Sequence, residues 1–414
     1  MNENKRKKTD SIGWNRTTRI SDSFPEPLRS VIEAAVDERA TDVHIDPVLS
    51  GERVRFRVDG MLHRKDIIES ENQGRIINQI KAAAGLHTNR TFVPLESDID
   101  LSNESGSYNV RVSIIPIGLR EAAHLRFLAA ERSALKIENL GLQAGNMRLM
   151  KEVLHRGHGL ILVAGATGTG KTTTLYALAN ALDLQRNVVV SVEDPVEFRF
   201  SGMRQLEIDE QHGLDMREGL RVLLRMDPDV ILIGEIRDQN SATTAVRAAL
   251  AGRLVIATIH STDASMAIDA LKHYSVSRYM LSGSLRLVIY QKLLRRVCRK
   301  CALSRDLNAG EREMYQQYSI KPPDKVVQAT GCRECGHYGY AGRVGIFEVT
   351  PVGDMLAEEI SRGASRHVFR KMAASDNRRT IEADALRKAA EGVVSIDDVI
   401  NFCRQRVFPE NNGN

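Results

Sequence analysis

The chain has 414 residues, which is long for one ordinary hydrophobic core, so two or three domains are expected. Hydrophobic residues make up 42% of the sequence and charged residues 27%, a balance typical of a globular protein. The longest apolar runs fall well short of the ~18 residues of a membrane-spanning helix, and the net charge of +5 does not by itself indicate nucleic-acid binding.

Residues 1–24 are predicted to form a basic, disordered leader. No apolar segment follows its lysines and arginines, so a cleaved secretion signal is not expected and a cytoplasmic location is the default. The leader is interpreted as a solubilising tail, and an electrostatic tether to anionic lipid or RNA is the alternative.

Helical periodicity begins near residue 25, and apolar and polar residues then alternate through Val54, Phe56 and Val58. A second helical stretch and a second alternating stretch follow, which predicts a mixed α/β domain over residues 25–132. Weak periodicity and two glycines indicate a linker at residues 133–146. From residue 147 to the C terminus, short β-rich runs alternate with helical patterns, which predicts a parallel sheet with helices on both faces.

The sequence "GATGTGKT" at residues 165–172 matches the phosphate-loop pattern G-x-x-x-x-G-K-[ST]. Glycines let successive N–H groups point at phosphate oxygens, Lys171 places a charge on the β and γ phosphates, and Thr172 reaches Mg²⁺. The apolar run before the loop and the helical pattern after it are the context that this motif requires. The predicted nucleotide-binding residues are Gly165, Thr167, Gly168, Thr169, Gly170, Lys171, Thr172 and Thr173.

Acidic residues follow two of the predicted strands, at the edge where ligands bind in open α/β sheets. Glu235 is the candidate carboxylate that holds Mg²⁺ together with Thr172, and Glu193 and Asp194 are candidates for orienting or activating water. His260 ends a third strand and could bond the γ-phosphate, with a structural histidine as the alternative. These residues indicate that the loop serves hydrolysis as well as binding.

Two Cys-x-x-Cys pairs lie 30 residues apart, formed by Cys298, Cys301, Cys332 and Cys335. Four thiolates at this spacing favour a closed, structural zinc site over a redox pair or an iron–sulfur cluster. Disulfides are not expected in a cytosolic chain. Cys403 is interpreted as a small buried apolar residue.

Basic residues flank the first cysteine pair and leave a zinc-knuckle nucleic-acid module as an alternative. Aromatic content is only 5%, and no stacking platform interleaves these residues, so no specific nucleic acid is expected as a partner. The flanking residues are Arg295, Arg296, Arg299 and Lys300.

Several segments in order carry a family resemblance: "GATGTGKTTTLYA", "SVEDPVE", "LLRMDPDVILIGEIRD", "ATIHSTDA", "QKLLRRVCRKC" and "GCRECGHYGYAGRVGIFEV". The chain resembles the secretion ATPase superfamily, in its type II secretion and type IV pilus-assembly branch, from about residue 30 to about residue 400. The resemblance implies a PAS-like α/β domain at 25–132. It also implies a RecA-like P-loop ATPase domain at 147–414, with a tetracysteine zinc subdomain at 295–345 and closing C-terminal helices.

The resemblance also implies roles for individual residues. Glu193 would be the catalytic glutamate, Glu235 would act through Mg²⁺, and His260 would sense the nucleotide. Arg111 and Arg126 of the first domain would reach the phosphates as arginine fingers, since charge on the transferring phosphoryl group needs a positioned cation. Surface arginines on a strand are the alternative for this pair.

The function implied by the resemblance is a homo-hexameric motor. Such a motor hydrolyses ATP to power assembly of a type IV pilus or a type II secretion pseudopilus, at the inner membrane, through a platform protein. The cysteine pairs favour assembly or secretion, and a retraction motor or a nucleotide-binding scaffold with little turnover are the alternatives.

Three departures from the family pattern qualify these expectations. Only about 25 residues precede the first domain, so a short form without the extra N-terminal domain of larger relatives is expected. Arg253 stands where the His box usually begins with a histidine, and the stretch from Pro94 to Asp98 differs from the family's "P-Q-D-G". Arg253 removes or changes the role of that histidine, whereas the change from Pro94 to Asp98, in the first domain, predicts a slower motor.

Overall fold

The computed structural model describes the backbone of residues 18–19, 24–69, 74–103, 106–129, 135–363, 366–373 and 380–406. The chain divides into two compact units, Met1–Ala130 and Glu131–Asn414. Both units combine helices with a sheet, which confirms the α/β class. Most of the predicted leader lies outside the described residues. Within the described ranges, every helix is too short or too polar to cross a bilayer.

The first unit is a seven-stranded sheet with strand order β1-β5-β6-β7-β2-β3-β4, antiparallel except for the short pairing of β1 with β5. Its strands are β1 (Thr18–Arg19), β2 (Asp42–Val48), β3 (Gly51–Val58), β4 (Met61–Glu69), β5 (Leu95–Asn103), β6 (Gly106–Ile117) and β7 (Arg120–Ala129). Its helices are α1 (Leu28–Asp37) and α2 (Arg75–Ala83).

The alternation in β3 explains how this unit is built. Val54, Phe56 and Val58 are buried with Ile32 of α1 and Ile80 of α2, while the residues between them in β3 are half-buried. Because side chains alternate between the faces of a strand, one face of the sheet meets the helices and the other carries polar groups.

The second unit is built on a seven-stranded sheet with strand order β10-β9-β11-β12-β8-β13-β16. Its first six strands are parallel, and β16 is antiparallel to β13. The strands are β8 (Gly159–Ala164), β9 (Val189–Glu193), β10 (Arg204–Glu207), β11 (Val230–Ile236), β12 (Leu254–Ile259), β13 (Leu285–Val297) and β16 (Tyr340–Pro351). A separate hairpin-like pair joins β14 (Leu303–Asp306) to β15 (Lys325–Gln328).

Helices cover both faces of this sheet, as the sequence predicts, and each face has its own apolar core. The first helices in chain order are α3 (Ala144–Arg156), α4 (Lys171–Asn180), α5 (Met216–Leu223), α6 (Gln239–Leu250), α7 (Ala264–His273) and α8 (Arg278–Ser284). The remaining helices are α9 (Ala309–Gln317), α10 (Asp354–Arg362), α11 (Arg366–Ala373), α12 (Ile381–Ala390) and α13 (Ile396–Arg406).

The segment predicted as a linker, 133–146, falls within the second unit. Ile137 and Leu140 are buried in the core that also holds Met150 of α3. Burial of these apolar side chains offsets the entropy of ordering the segment, so it is packed at these positions. The weak periodicity of the sequence here reflects a single turn of 3₁₀ helix at Ile137–Asn139.

Candidate functional site

The phosphate loop joins β8 to α4 at the carboxyl edge of the parallel sheet. Gly168 and Gly170 have positive φ angles of 76° and 84°, a region that favours glycine. Gly165 is needed for space, because a Cβ atom there would lie 2.8 Å from the main-chain oxygen of Gln291. The glycine positions of the motif therefore follow from backbone geometry and close packing, and α4 begins directly after the loop at Lys171.

Lys171 lies inside this loop. Its Nζ donates hydrogen bonds to the main-chain oxygens of Gly165 at 3.0 Å and Ala166 at 3.1 Å, and lies 3.5 Å from Nδ1 of His260. Burial lowers the pKa of Lys171, and the carboxylates of Glu235 and Glu197 oppose this shift. Thr172 and Thr173 follow in the first turn of α4, and Thr167 is exposed on the loop.

Glu235 at the end of β11 connects the groups around the loop. Its Oε1 contacts Nε2 of His260, and its Oε2 accepts a hydrogen bond from Nε of Arg237 at 2.5 Å. Arg237 in turn donates through Nη1 to Oδ2 of Asp194 at 3.0 Å. The structure thus brings the predicted residues Lys171, Glu235 and His260 together, and it adds Arg237, which the sequence analysis missed.

Glu193, predicted as the catalytic glutamate, lies buried at the end of β9. Its side chain is only 2% exposed. Its Oε1 accepts hydrogen bonds from Ser191 Oγ at 2.5 Å and from Gln205 Nε2 at 3.2 Å, and its Oε2 accepts from the hydroxyl of Tyr176. Burial and the adjacent Glu193 carboxylate raise the pKa of Tyr176, so this phenol keeps its proton and remains a donor. Both carboxylate oxygens are therefore engaged inside the protein, away from water.

Glu197, four residues further along the same segment, is exposed. Its carboxylate is close enough to Lys171 to oppose the lowering of the Lys171 pKa that burial causes. The sequence analysis missed Glu197, although the signal was present in the quoted "SVEDPVE", which contains two glutamates. Only their opposite burial distinguishes them.

Arg111 and Arg126 belong to the first unit, where they lie side by side on β6 and β7. Across the sheet their register places them in one row with three other charged residues, in the order Asp98, Arg111, Arg126, Asp42 and Arg57. Nε of Arg126 donates to Oδ1 of Asp42 at 3.0 Å, whereas Nε of Arg111 lies 3.9 Å from Oδ1 of Asp98. Both arginines are thus paired with acids on one face of the sheet.

Asp42 is the most constrained member of this row. It is 6% exposed, and Nε2 of His124 lies 3.0 Å from its Oδ1. Burial raises the pKa of Asp42, but hydrogen bonds from His124, Arg126 and Thr41 outweigh burial and hold that pKa well below the usual range of an aspartate. Asp42 is therefore an ionised acceptor that fixes the neighbouring Arg126.

The four cysteines of the two Cys-x-x-Cys pairs converge, with all sulfur atoms within 4.8 Å of one another. The Sγ atoms are 4.0 Å apart for Cys298 and Cys332, 3.9 Å for Cys301 and Cys335, and 3.8 Å for Cys332 and Cys335. A tetrahedron of thiolates about 2.3 Å from a central ion has edges of about 3.8 Å. The donor set therefore fits a tetrahedral metal ion.

Backbone amides support thiolate character in this cluster. The N–H groups of Cys332 and Gly339 donate to Sγ of Cys335 at 3.3 Å and 3.2 Å, and the N–H of Gly331 donates to Sγ of Cys301 at 3.3 Å. Burial raises the pKa of Cys335, but hydrogen bonds from the amides of Cys332 and Gly339, together with those of the Cys332 and Cys301 thiols, outweigh burial and lower the pKa to about 7. Cys403 is buried in α13, as predicted.

Comparison with known proteins is consistent with this geometry. The family model described as "Type II/IV secretion system protein" matches residues 21–401. The chain is 34% identical to the type IV pilus assembly ATPase PilB of Myxococcus xanthus, over 89% of this chain and 66% of that protein. It is also 34% identical to the type II secretion system protein E of Klebsiella pneumoniae, over 92% of this chain and 76% of that protein. The chain thus spans two thirds to three quarters of the length of these relatives.

Two solved structures share the fold. The Legionella pneumophila ATPase DotB matches 94% of this chain and all of its own, with a TM-score of 0.67 and 18% identity. The pilus retraction motor PilT, solved with bound ADP, matches 91% of this chain and 96% of its own, with a TM-score of 0.60 and 22% identity. The predicted family is confirmed, and with it the enzyme class: this chain belongs to the Type II/IV secretion system protein family of P-loop ATPases.

Proposed function

We propose that this chain hydrolyses ATP to power assembly of a type IV pilus or a type II secretion pseudopilus. The observation that carries the proposal is the meeting of Lys171, Glu235 and His260 at one phosphate loop, in a chain whose relatives include a pilus assembly ATPase and type II secretion proteins. The names of the relatives indicate the process, pilus assembly or secretion, and the residues of the site indicate the reaction, ATP hydrolysis.

In this proposal the N–H groups of the loop and the start of α4 bind the phosphates, and Lys171 exchanges its loop-carbonyl partners for the β and γ phosphates. Thr172 and Glu235 would hold Mg²⁺, which neutralises charge on the phosphate oxygens. His260 bonds Glu235 and lies next to Lys171, so it can detect whether the γ-phosphate is present.

The carboxylate proposed to activate water is Glu197, in place of the predicted Glu193. A general base must reach the water whose proton it accepts, and the lone pairs of Glu193 are engaged with Tyr176, Ser191 and Gln205. Glu197 is exposed and acts on Lys171 electrostatically. Glu193 is assigned the role of holding β9 to α4.

Arg111 and Arg126 are proposed as arginine fingers on a PAS-like first domain. In this role they would leave or share their acidic partners Asp98 and Asp42 when they meet phosphate. Pairing with acids keeps both guanidinium groups on the same face of the sheet before they are used.

The four-cysteine cluster is proposed to bind Zn²⁺, because its sulfur separations match tetrahedral thiolate coordination. With four protein ligands the ion would have no open position, so its contribution would be to fold residues 295–345 as a subdomain.

The working form is proposed to be a homo-hexamer at the cytoplasmic face of the inner membrane, bound to a platform protein of the machine. Steady-state ATP hydrolysis at increasing protein concentration, with Lys171→Ala alongside, tests the activity. Specific activity that rises with concentration and is lost in the variant is the expected result. Lys171-dependent ATP binding without turnover, measured with the membrane partner present, would instead identify a nucleotide-binding scaffold.

A further inference from the structure

We propose that Gln291 positions the phosphate loop by fixing the peptide group between Thr169 and Gly170. The inference rests on the proposed binding of ATP by this loop. Gln291 lies on β13, one residue beyond the pairing of Tyr290 with Ala164 at the end of β8. Its side chain therefore enters the space directly beneath the loop, where it is 1% exposed.

The amide of Gln291 holds one loop carbonyl. Its Nε2 donates a hydrogen bond to the main-chain oxygen of Thr169 at 2.8 Å, and this bond is buried. In a trans peptide the C=O and N–H groups point in opposite directions. Anchoring the Thr169 oxygen below the loop therefore turns the N–H of Gly170 outward, toward the side where a phosphate oxygen would be bound.

The close approach of Gln291 also accounts for two glycines of the motif. A Cβ atom on Gly165 would lie 2.8 Å from the main-chain oxygen of Gln291, and one on Gly170 would lie 3.3 Å from its Nε2. Gln291 thus contacts the loop at its first and last glycines. This arrangement limits the positions that the backbone between them can adopt.

The amide oxygen of Gln291 gives a second reason to think that the hydrogen bond of Nε2 is what a glutamine contributes at this position. Oε1 of Gln291 is buried and accepts no hydrogen bond from the residues that the structure describes. An unsatisfied buried acceptor destabilises a fold, and an apolar side chain of this size would avoid that cost. The hydrogen bond to Thr169 is the feature that an apolar residue at this position would lose.

Gln291→Met tests the proposal, because methionine keeps the volume and removes the donor. We expect the dissociation constant for a fluorescent ATP analogue to rise about tenfold, since one phosphate-binding N–H loses its orientation. Where turnover is measurable, the rise should appear mainly in KM, because the loop binds phosphate both before and during reaction. Gln291→Leu also lacks the donor and adds no charge, and it is used if the methionine variant does not fold.

The matched control is Gln143→Met, which removes a glutamine hydrogen bond to Asp384 in the same unit but away from the loop. It should lower the melting temperature without changing the dissociation constant. Variants of Gln291 that are folded and bind ATP as the unmodified protein does would overturn the inference. An unmodified protein that does not bind ATP would instead overturn the proposed function.

Discussion

The hydroxyl of Tyr176 donates a hydrogen bond to Oε2 of Glu193, and this bond joins α4 to β9 inside the second unit. Ser191 and Gln205 occupy the other carboxylate oxygen, so Glu193 is the centre of a closed buried network. A carboxylate in such a network stabilises the helix that follows the phosphate loop, whereas Glu197, which is proposed to activate water, is exposed.

Exchanging the two glutamates for glutamine should separate these roles. Glu197→Gln is expected to bind ATP normally and to lower kcat at least about 100-fold, since general-base catalysis contributes at least that much. Glu193→Gln should instead lower the free energy of unfolding by about 1–3 kcal/mol, because the new amide group cannot satisfy all three donors. Steady-state kinetics and urea unfolding of each variant measure the two effects. The reverse pattern would restore Glu193 as the catalytic glutamate.

Glu235→Gln should make ATP hydrolysis require a higher concentration of Mg²⁺. We expect the Mg²⁺ concentration for half-maximal ATP hydrolysis to rise at least about tenfold, because a neutral amide is a poorer ligand for a hard cation. Titration of activity with Mg²⁺ measures the shift. Glu138→Gln is the control, since it removes a carboxylate paired with Lys151 on the surface of the same unit. An unchanged Mg²⁺ profile in Glu235→Gln would exclude Glu235 as the metal ligand.

Replacing one cysteine of the cluster should remove the metal and loosen the subdomain. Cys332→Ser is expected to lose most of the bound zinc, measured by elemental analysis of the purified protein, and to increase proteolysis within residues 295–345. Cys403→Ala removes the remaining cysteine and should leave the zinc content unchanged. Equal zinc content in Cys332→Ser and the unmodified protein would show that the metal is bound elsewhere, and no zinc in either would exclude the site.

Asp42→Asn should destabilise the protein in a pH-dependent way. The folded protein lowers the pKa of Asp42, so its stabilising effect is complete above the unfolded pKa of about 3.9 and is lost as pH falls below that value. We expect the variant to lose about 1–3 kcal/mol of unfolding free energy at pH 7 and at pH 5, and less at pH 3.5. Urea unfolding at the three pH values measures the difference. A loss that is the same at all three would show that the charge of Asp42 is not its cause.

Local sequence patterns were sufficient for the parallel sheet and for the phosphate loop. Strands such as β8 and β12 are buried along their whole length and therefore stand out as continuous apolar runs. Lys171 lies after β8, Glu235 near the end of β11 and His260 directly after β12, and parallel pairing brings such positions to one edge. The convergence of this group could be predicted without knowing any side-chain contact.

Relationships that depend on burial could not be predicted in the same way. Glu193 differs from Glu197 because Tyr176, 17 residues before Glu193, and Gln205, 12 residues after it, bond its carboxylate. Gln291 lies 122 residues from Thr169, and its contact follows from the pairing of β13 with β8, which the local pattern of β13 does not specify. The burial of Glu193 and the contact of Gln291 with Thr169 both follow from side-chain packing between segments that are separated in the sequence.

The strand β13 connects the phosphate loop to the cysteine cluster, which are separate motifs in the sequence. It passes beneath the phosphate loop at Gln291 and ends at Val297, directly before Cys298 of the metal cluster. The six residue steps from Gln291 to Val297 span about 20 Å, and pairing with β16 makes this stretch a two-stranded ribbon whose register shifts between Arg295 and Val297. The cysteine cluster and the floor of the nucleotide site are therefore joined by one continuous strand, so a change that moves one end of the strand is expected to reach the other.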